Sequence, residues 1–592
     1  MPYEERVKRF AGEIRRLEGI KRRLGMARLA SFLAAVIVFF LLLHTHWALG
    51  LVAAAGCLAL FVACAVSDSR NEQQLQFAIR LRRINEEEIC ALDGDYSAFS
   101  DGQTFYDPAH PYAADLDILG PHSLFQYVNR TCSAPGRALL AQRLLAPASP
   151  ALVGRRQEAV RELTPEIDWR QHLQAQGRSA PLTEQIVQST LQWQPARVPP
   201  AMQSRYTFYS ITLPAVSALF VLLVCISVVP STLLWIFFML HLLLQWHLGQ
   251  KMGNAHASLS RTFPAFETLA SNFDWILGRQ FSSGYLKNLQ KACFHEEVAA
   301  TAAFTSLKEI LQRLDLRLNP LVHVPLNFLF FWDWHQYRQL LRWHERYHAR
   351  LQTWIDSLAE MEVLSSFANM AFNNPGYCFP RINEEHFSFS AEDMGHPLLP
   401  PGKRVCNDLA IAHESELILL TGSNMAGKST FLRTVGINIV LALSGAPVCA
   451  KRFSTSPVMV LSSMRVADNL EENISTFYAE LRKLEMILQR VRAHEKVFLL
   501  LDEILRGTNS QDRHTGSVAL IRELIAEKAV GIIATHDLAL TDIVKEYREN
   551  IHNYHFDVQV KDDELFFDYR LKKGICTSMN ASVLMRKIGL KI

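Results

Sequence analysis

Leu417-Ile418-Leu419-Leu420-Thr421-Gly422-Ser423-Asn424-Met425-Ala426-Gly427-Lys428-Ser429-Thr430 is the stretch that decides how this 592-residue chain is read. A strand-like apolar run enters a full G-x-x-x-x-G-K-[ST] loop at residues 422–429, and a helix-like run leaves it from Thr430. Strand, glycine loop and helix in that order are the context this motif requires. Gly422 and Gly427 let the backbone turn its N–H groups toward phosphate oxygens, and the helix start adds its positive end. Ser423, Asn424, Met425, Ala426 and Thr430 complete the expected cradle. Lys428 is placed to reach the β- and γ-phosphates of ATP, and Ser429 to hold Mg²⁺. A chance match in a chain this long has odds of roughly a few per cent.

Two further strand ends support this reading. Val497-Phe498-Leu499-Leu500-Leu501 is continuously apolar, as in a strand buried on both faces, and it ends in Asp502-Glu503. Asp502 is a candidate Mg²⁺ ligand, and Glu503 a candidate to orient or deprotonate the attacking water. The bland alternative is that this acidic pair only caps the next element. Val530-Gly531-Ile532-Ile533-Ala534 ends in Thr535-His536-Asp537. His536 is a candidate sensor of the γ-phosphate, although a lone histidine is more often structural.

Lys428 and Asp502 lie 74 residues apart, and no Leu-Ser-Gly-Gly-Gln motif of transporter cassettes falls between them. The interval instead holds Asp468-Asn469-Leu470 and Ser475-Thr476-Phe477-Tyr478-Ala479-Glu480-Leu481, and Arg506-Gly507-Thr508 follows the acidic pair. This set resembles the MutS family of DNA mismatch-repair ATPases. The likeness extends to His396-Pro397, Asn407-Asp408 and Gly445 to Ala450. It also covers Ser123-Leu124-Phe125, Asn129-Arg130-Thr131, Gly136-Arg137, Arg156 to Val160 and Val363 to Ala368 in a helical core. The resemblance implies a head-to-tail dimer of nucleotide domains, in which Ser475 of one subunit contacts the γ-phosphate held by the other. Ser475 could equally be a helix N-cap, and the two roles are compatible. Asp512 falls where the family's dimer-contact loop runs, with Thr508 and Asn509 as weaker candidates.

The rest of the chain departs from that family. Leu29 to Leu43 and Trp47 to Val66 are uncharged apolar runs, and a second pair follows at Phe208 to Val228 and Leu233 to Leu248. Each approaches the length that crosses a hydrocarbon layer of about 30 Å. Leu321 to Trp332 is too short to span and holds His323 and Pro325, so it reads as core or interfacial. Residues 1–28 carry nine Lys and Arg against four Glu, and the hairpin tips carry no charge. The positive-inside rule then places both termini and the ATPase in the cytoplasm of a multi-pass cell-membrane protein, inner or plasma membrane. The long basic stretch and the immediate second span argue against a cleaved signal. His44 and His46 at the outer tip read as interfacial residues, not a metal site.

Net charge is +3, and removing residues 1–28 leaves −2. No large basic domain therefore remains to grip duplex phosphates. Nothing before residue 115 resembles the family's mismatch-reading domain with its Phe-x-Glu wedge, the interval between the core matches leaves little room for a clamp, and a C-terminal dimerisation tail is not expected. The ten cysteines form no C-x-x-C pair, which fits reduced thiols.

The expected architecture is multidomain: α-helical transmembrane hairpins, a helical core and lever domain, and an α/β P-loop NTPase domain of MutS type. Its segments are a basic N-terminus (1–28), hairpin 1 (29–66), connector and core start (67–206), hairpin 2 (207–249), levers (250–385) and ATPase (386–592). ATP, Mg²⁺, a second copy of the chain and a bilayer crossed by four helices are the expected partners. Mismatched-DNA binding and damage sensing are implied by the family alone. A DNA-independent mechanochemical or signalling ATPase at the membrane is the alternative, and four spans argue against a cassette transporter.

Overall fold

Residues 2–42, 47–194, 200–226, 263–295, 298–423, 426–464, 476–561 and 564–576, with isolated positions from 228 to 239, are described by the computed structural model. Most of the run Leu233 to Leu248, the loop residues Asn424 and Met425, and Ser475 lie outside them.

Two long helices lead the chain, α1 (Pro2–Leu42) and α2 (Trp47–Leu92). They pack antiparallel and change character along their length. Near the chain start, Phe10, Ile14 and Leu17 of α1 are buried with Leu75, Ala78, Leu81 and Ile84 of α2. Lys21–Glu72 at 2.7 Å and Arg28–Asp68 at 3.2 Å mark the crossover. Beyond it the apolar side chains turn outward, with Leu29 61% and Val52 71% exposed. Both helices, and later α8, are long and apolar enough to cross a membrane by length and composition. Residues 2–28, expected as a basic terminus, are thus an ordered helix with part of its charge paired to α2.

The base of α2 is pinned by a buried charge cluster. Glu88 accepts from Arg130 Nε at 2.5 Å, Asn369 Nδ2 at 3.0 Å and Asn373 Nδ2 at 3.1 Å. The Tyr3 hydroxyl donates to Asn373 at 2.5 Å, so both long helices meet the same lever helix. Burial alone would raise the Glu88 carboxyl, but the Arg130 charge and these hydrogen bonds hold it below its usual range.

The helical core follows: α3 (Leu124–Val128), α4 (Ala134–Leu145), α5 (Pro150–Leu163), α6 (Ile167–Gly177), α7 (Glu184–Gln192) and α8 (Pro200–Cys225). After the undescribed segment come α9 (Phe263–Leu277), α10 (Gly284–Ala292) and a short hairpin of β1 (Phe294–His295) and β2 (Val298–Ala299). Then come α11 (Ala300–Asp315), α12 (Pro320–Phe330), α13 (Trp332–Tyr347) and α14 (Leu351–Asn373). Asn319 caps α12, which runs unbroken through Pro325. Most of α14 is buried, because helices of the core surround it.

The C-terminal domain holds two mixed sheets. The smaller has the order β3 (Arg381–Ile382), β7 (Arg452–Thr455), β4 (Phe389–Met394), β5 (Asn407–Ile411). The larger has the order β12 (Glu564–Lys573), β11 (Ile551–Lys561), β6 (Leu417–Thr421), β10 (Gly531–Thr535), β9 (Val497–Asp502), β8 (Met459–Ser463). All its neighbours are parallel except β12 against β11. Three helices flank it: α15 (Lys428–Ser444), α16 (Thr476–Arg492) and α17 (Ser510–Ala526).

Alternation explains why the central strands carry no polar face. Ile418, Leu420, Phe498, Leu500 and Ile532 join the core of α15, which is continuous with the helical core. Leu417, Leu419, Leu499, Leu501 and Ile533 join Leu484, Ile487, Leu520 and Ile521 of α16 and α17. Buried Asp115 ties the halves together, accepting from Ser462 at 2.7 Å and Lys483 at 2.6 Å.

Removing one partner of a buried ion pair typically costs about 3–5 kcal/mol. Glu88→Ala is expected to lower the denaturant midpoint of the full chain in detergent by that order. Because the folded carboxyl lies below its unfolded value of 4.5, the wild-type contribution is present above pH 4.5 and lost as pH falls through the lower folded value. An unchanged midpoint in the variant would show that this cluster is not a structural joint.

Candidate functional site

Parallel pairing in register brings the chemistry-bearing strand ends to one edge. Thr421 at the end of β6 pairs with Thr535 of β10, and Asp502 of β9 pairs with Ala534. The glycine loop leaves β6 at this edge and α15 begins at Lys428. Gly427 has φ 100°, and a Cβ there would stand 3.1 Å from the Tyr569 ring, so a side chain would meet both strain and a wall.

The residues singled out by motif converge here. Lys428 donates to the carbonyls of Gly422 at 2.8 Å and Ser423 at 3.1 Å. Its ammonium is held below its usual range by burial, against the opposing pull of Glu503 and Asp502. The Ser429 hydroxyl donates to Asp502 Oδ2. Burial raises the Asp502 carboxyl, and its Oδ1 is buried without a hydrogen-bond partner. His536 Nδ1 lies 3.6 Å from Glu503 Oε1. Ala426 is buried behind the loop, and Thr430 is exposed in the first turn of α15. A cavity of about 430 Å³ opens over the loop, walled by Lys428, Ser429, Glu503, His396, Phe556 and Tyr569. Asn509 N-caps α17, accepting from the Asp512 amide at 2.9 Å. Asn424, Met425 and Ser475 lie outside the described residues.

Glu503 and Leu505 have φ of 51° and 59°, a left-handed conformation that costs a non-glycine residue about 1 kcal/mol or more. A clamp holds them there. The Glu503 amide donates to Ala534 at 2.8 Å, and the Glu480 carboxylate accepts from the amides of Leu505 at 2.5 Å and Arg506 at 3.1 Å. Arg506 returns to Glu503, its Nε 3.2 Å from Oε2. Burial raises the Glu480 carboxyl while these amides pull it down. A Cβ on Gly507 would collide with Phe477, so α16 and the loop after β9 fit closely. Sequence reasoning did not assign Glu480, Arg506 or Tyr569. Glu480 and Arg506 stand inside quoted motifs, but only the fold shows what they touch.

His396 lines the opposite wall, and its Nδ1 accepts from the Leu398 amide at 3.3 Å. Burial, with Arg433 and Arg404 nearby, pushes its imidazole down to about 4. Asn407 fastens the same wall, donating to the Tyr569 carbonyl at 3.0 Å and accepting from the Leu571 amide at 2.7 Å.

These features define the class: an α/β domain with a parallel central sheet, a glycine loop and paired carboxylates at the carboxyl edge of that sheet. Residues 418–587 match the family described as MutS domain V. The chain is 30% identical over 235 residues to MutS protein homolog 4 of Mus musculus, covering 38% of this chain and 24% of that protein. It is 30% identical over 226 residues to the DNA mismatch repair protein MutS of Chlamydia pneumoniae, covering 37% and 27%. To that of Fusobacterium nucleatum it is 34% identical over 218 residues, covering 35% and 23%. In this domain the chain is thus similar to the MutS family. It spans about a quarter of the length of the curated relatives it matches.

Two measurements check this geometry. Glu480→Ala leaves two amides without an acceptor, each worth about 1–3 kcal/mol when buried. Amides of Leu505 and Arg506 should then exchange hydrogen faster than in wild type, and equal rates would contradict the clamp. For His396, the folded value near 4 lies below the unfolded 6.5. Its contribution is therefore whole above pH 6.5 and lost as pH falls toward 4, on the order of 2–3 kcal/mol. His396→Asn should flatten the stability profile across that window; an unchanged slope would contradict the assignment.

Proposed function

We propose that this chain is a MutS-type ATPase anchored in the cell membrane by its apolar helices, multi-pass, with both termini and the ATPase domain on the cytoplasmic side. The observation that carries the reading is the convergence of Lys428, Ser429 and Glu503 on one cavity, with Asp502 accepting from Ser429 behind it. ATP would lay its triphosphate along the loop of residues 422–429, with Lys428 leaving the Gly422 and Ser423 carbonyls for the β- and γ-phosphates. Ser429 and Asp502 fit Mg²⁺, since they offer hard oxygen ligands and Asp502 Oδ1 is a buried carboxylate oxygen without a partner. When bound, the ion supplies charge neutralisation at the phosphates. Glu503 orients the attacking water and accepts its proton, and His536, beside Glu503, reads the γ-phosphate. Two domains pair head to tail, so that Ser475 of one completes the site of the other.

The relatives named for DNA mismatch repair match 37% and 35% of this chain, and the family match lies on its nucleotide domain. Apolar helices continuous with the buried core support work directed at the bilayer. We therefore favour a membrane-associated mechanochemical ATPase over mismatched-DNA binding or damage sensing.

Turnover by the full chain in lipid nanodiscs should be indifferent to matched or mismatched duplex. Stimulation that falls steeply between about 50 and 200 mM salt would assign a duplex-dependent function instead. Lys428→Ala should abolish nucleotide binding or hydrolysis. In dimers mixed from Ser475→Ala and Lys428→Ala subunits, one of the two sites should combine intact residues from both chains and retain turnover. Complete loss would contradict the head-to-tail arrangement.

A further inference from the structure

The apolar run Leu321 to Trp332 forms neither a span nor a core helix. Helix α12 packs against α8, the turn Leu316–Leu318 that precedes it and α13. Trp332 Nε1 donates to the Arg313 carbonyl at 3.1 Å, and Arg317 Nε lies 3.2 Å from Asp333. The polar groups of α12 are turned toward the same point. His323 Nε2 is 3.1 Å from both Asp333 oxygens, and Asn327, one turn on, accepts from the Asp333 amide at 3.1 Å. Away from that point Leu321 is 87% exposed with Val322 beside it, while Leu318 just before the helix is 76% exposed and Phe330 at its end 56%. No Lys, Arg, Asp or Glu occurs from Leu318 to Trp332.

Neighbouring contacts fix the level of this surface. Phe331, Trp334 and Tyr337 form a cluster with Tyr209 and Leu213 of α8, at the start of the apolar window Thr207–Cys225. At the other end of the helix pair, the ring of His344 meets the carbonyl of Trp193 and that of His348 the carbonyl of Leu191, upstream of α8. Thus α13 runs from the mouth of the span back toward the cytoplasmic side, and α12 sits at the mouth. Helix α8 is apolar and exposed from that level onward, at Phe208, Ile211, Leu219 and Leu222. The α12 surface continues it.

We propose that α12 is an interfacial membrane helix, its exposed Leu321 and Val322, with Leu318 just before it and Phe330 at its end, lying in the boundary between headgroups and acyl chains beside α8. The inference rests on the membrane reading of α8 and adds a second kind of contact to it. A helix lying in the interface plane buries its apolar face about 5–10 Å deep. Exposed leucines and a phenylalanine clustered in water would be an association liability, whereas lipid already covers the adjoining surface of α8 in this arrangement. Through Asp333, α12 is tied to α13, so its depth in the bilayer bears directly on the helical core.

The test uses the full chain in phosphatidylcholine–phosphatidylglycerol vesicles, with photoreactive benzoylphenylalanine replacing one residue at a time. Leu321 and Val322 report on α12, Leu58 on the α2 span and Phe566 on the C-terminal domain. Lipid adducts at 321 and 322 are expected at least about tenfold above those at 566 and comparable to those at 58, as befits a buried apolar face. Adducts at 58 with only the 566 level at 321 and 322 would overturn the inference while leaving the spans standing. Crosslinks from 321 to protein, within the chain or to a second copy, would overturn it in favour of a protein occupant. Background at 58 as well would overturn the membrane reading itself.

Discussion

Parallel pairing of β6, β10, β9 and β8 is the constraint on which the rest of this molecule depends. Each strand is apolar on both faces, so each must be covered on both faces, by α15 and the helical core on one side and by α16 and α17 on the other. Parallel strands also end together. Thr421, Thr535 and Asp502 arrive at one edge because of the register, and the residues that follow them, Gly422, His536 and Glu503, arrive with them. The site is a consequence of the sheet. A slip of one residue in β9 would move Asp502 away from Ser429 and turn every leucine of that strand to the wrong core.

The same continuity reaches the N-terminal helices. The core that covers one face of the sheet includes residues of α4, α5, α9, α11 and α14, so the sheet is not a separate body hung on a linker. Asp115 holds Ser462 and Lys483 at one end of this unit. At the other, Glu88 joins α2 to Arg130 and to Asn369 and Asn373 of α14. Buried charges of this sort are poor sources of net stability but demand one geometry, because any partner left unpaired is costly. They set the register between the apolar helix pair and the lever beneath it.

Much of this was legible in the residues. The strand, glycine loop and helix, the acidic pair at the end of β9 and the histidine at the end of β10 are local patterns, and local patterns fix local geometry. The apolar runs of α1, α2 and α8 were equally plain, since length and absence of charge suffice. What escaped is long-range. Glu480 meets Leu505 and Arg506 only because α16 packs over the loop after β9, and Tyr569 reaches Gly427 only because β12 folds back along β11. The first part of α1 reads as a basic terminus because its many Arg and Lys mask a buried stripe of Phe10, Ile14 and Leu17. The run at α12 reads equally as core or interface, because the direction of its apolar side chains depends on where Asp333 draws His323 and Asn327.

Hydrolysis of ATP at the β6–β9 edge is the claim on which the function rests, and Glu503 is the residue that isolates it, since its change should spare binding. Phosphate release should be measured for the full chain in lipid nanodiscs with Mg²⁺ and ATP, wild type beside Glu503→Gln, with bound nucleotide followed in parallel. The expected result is turnover by wild type and a loss of about 10²–10⁴-fold in the variant, the range for a positioned general base, with ATP still bound. A variant that turns over at the wild-type rate, or a wild type that binds no nucleotide, would contradict it.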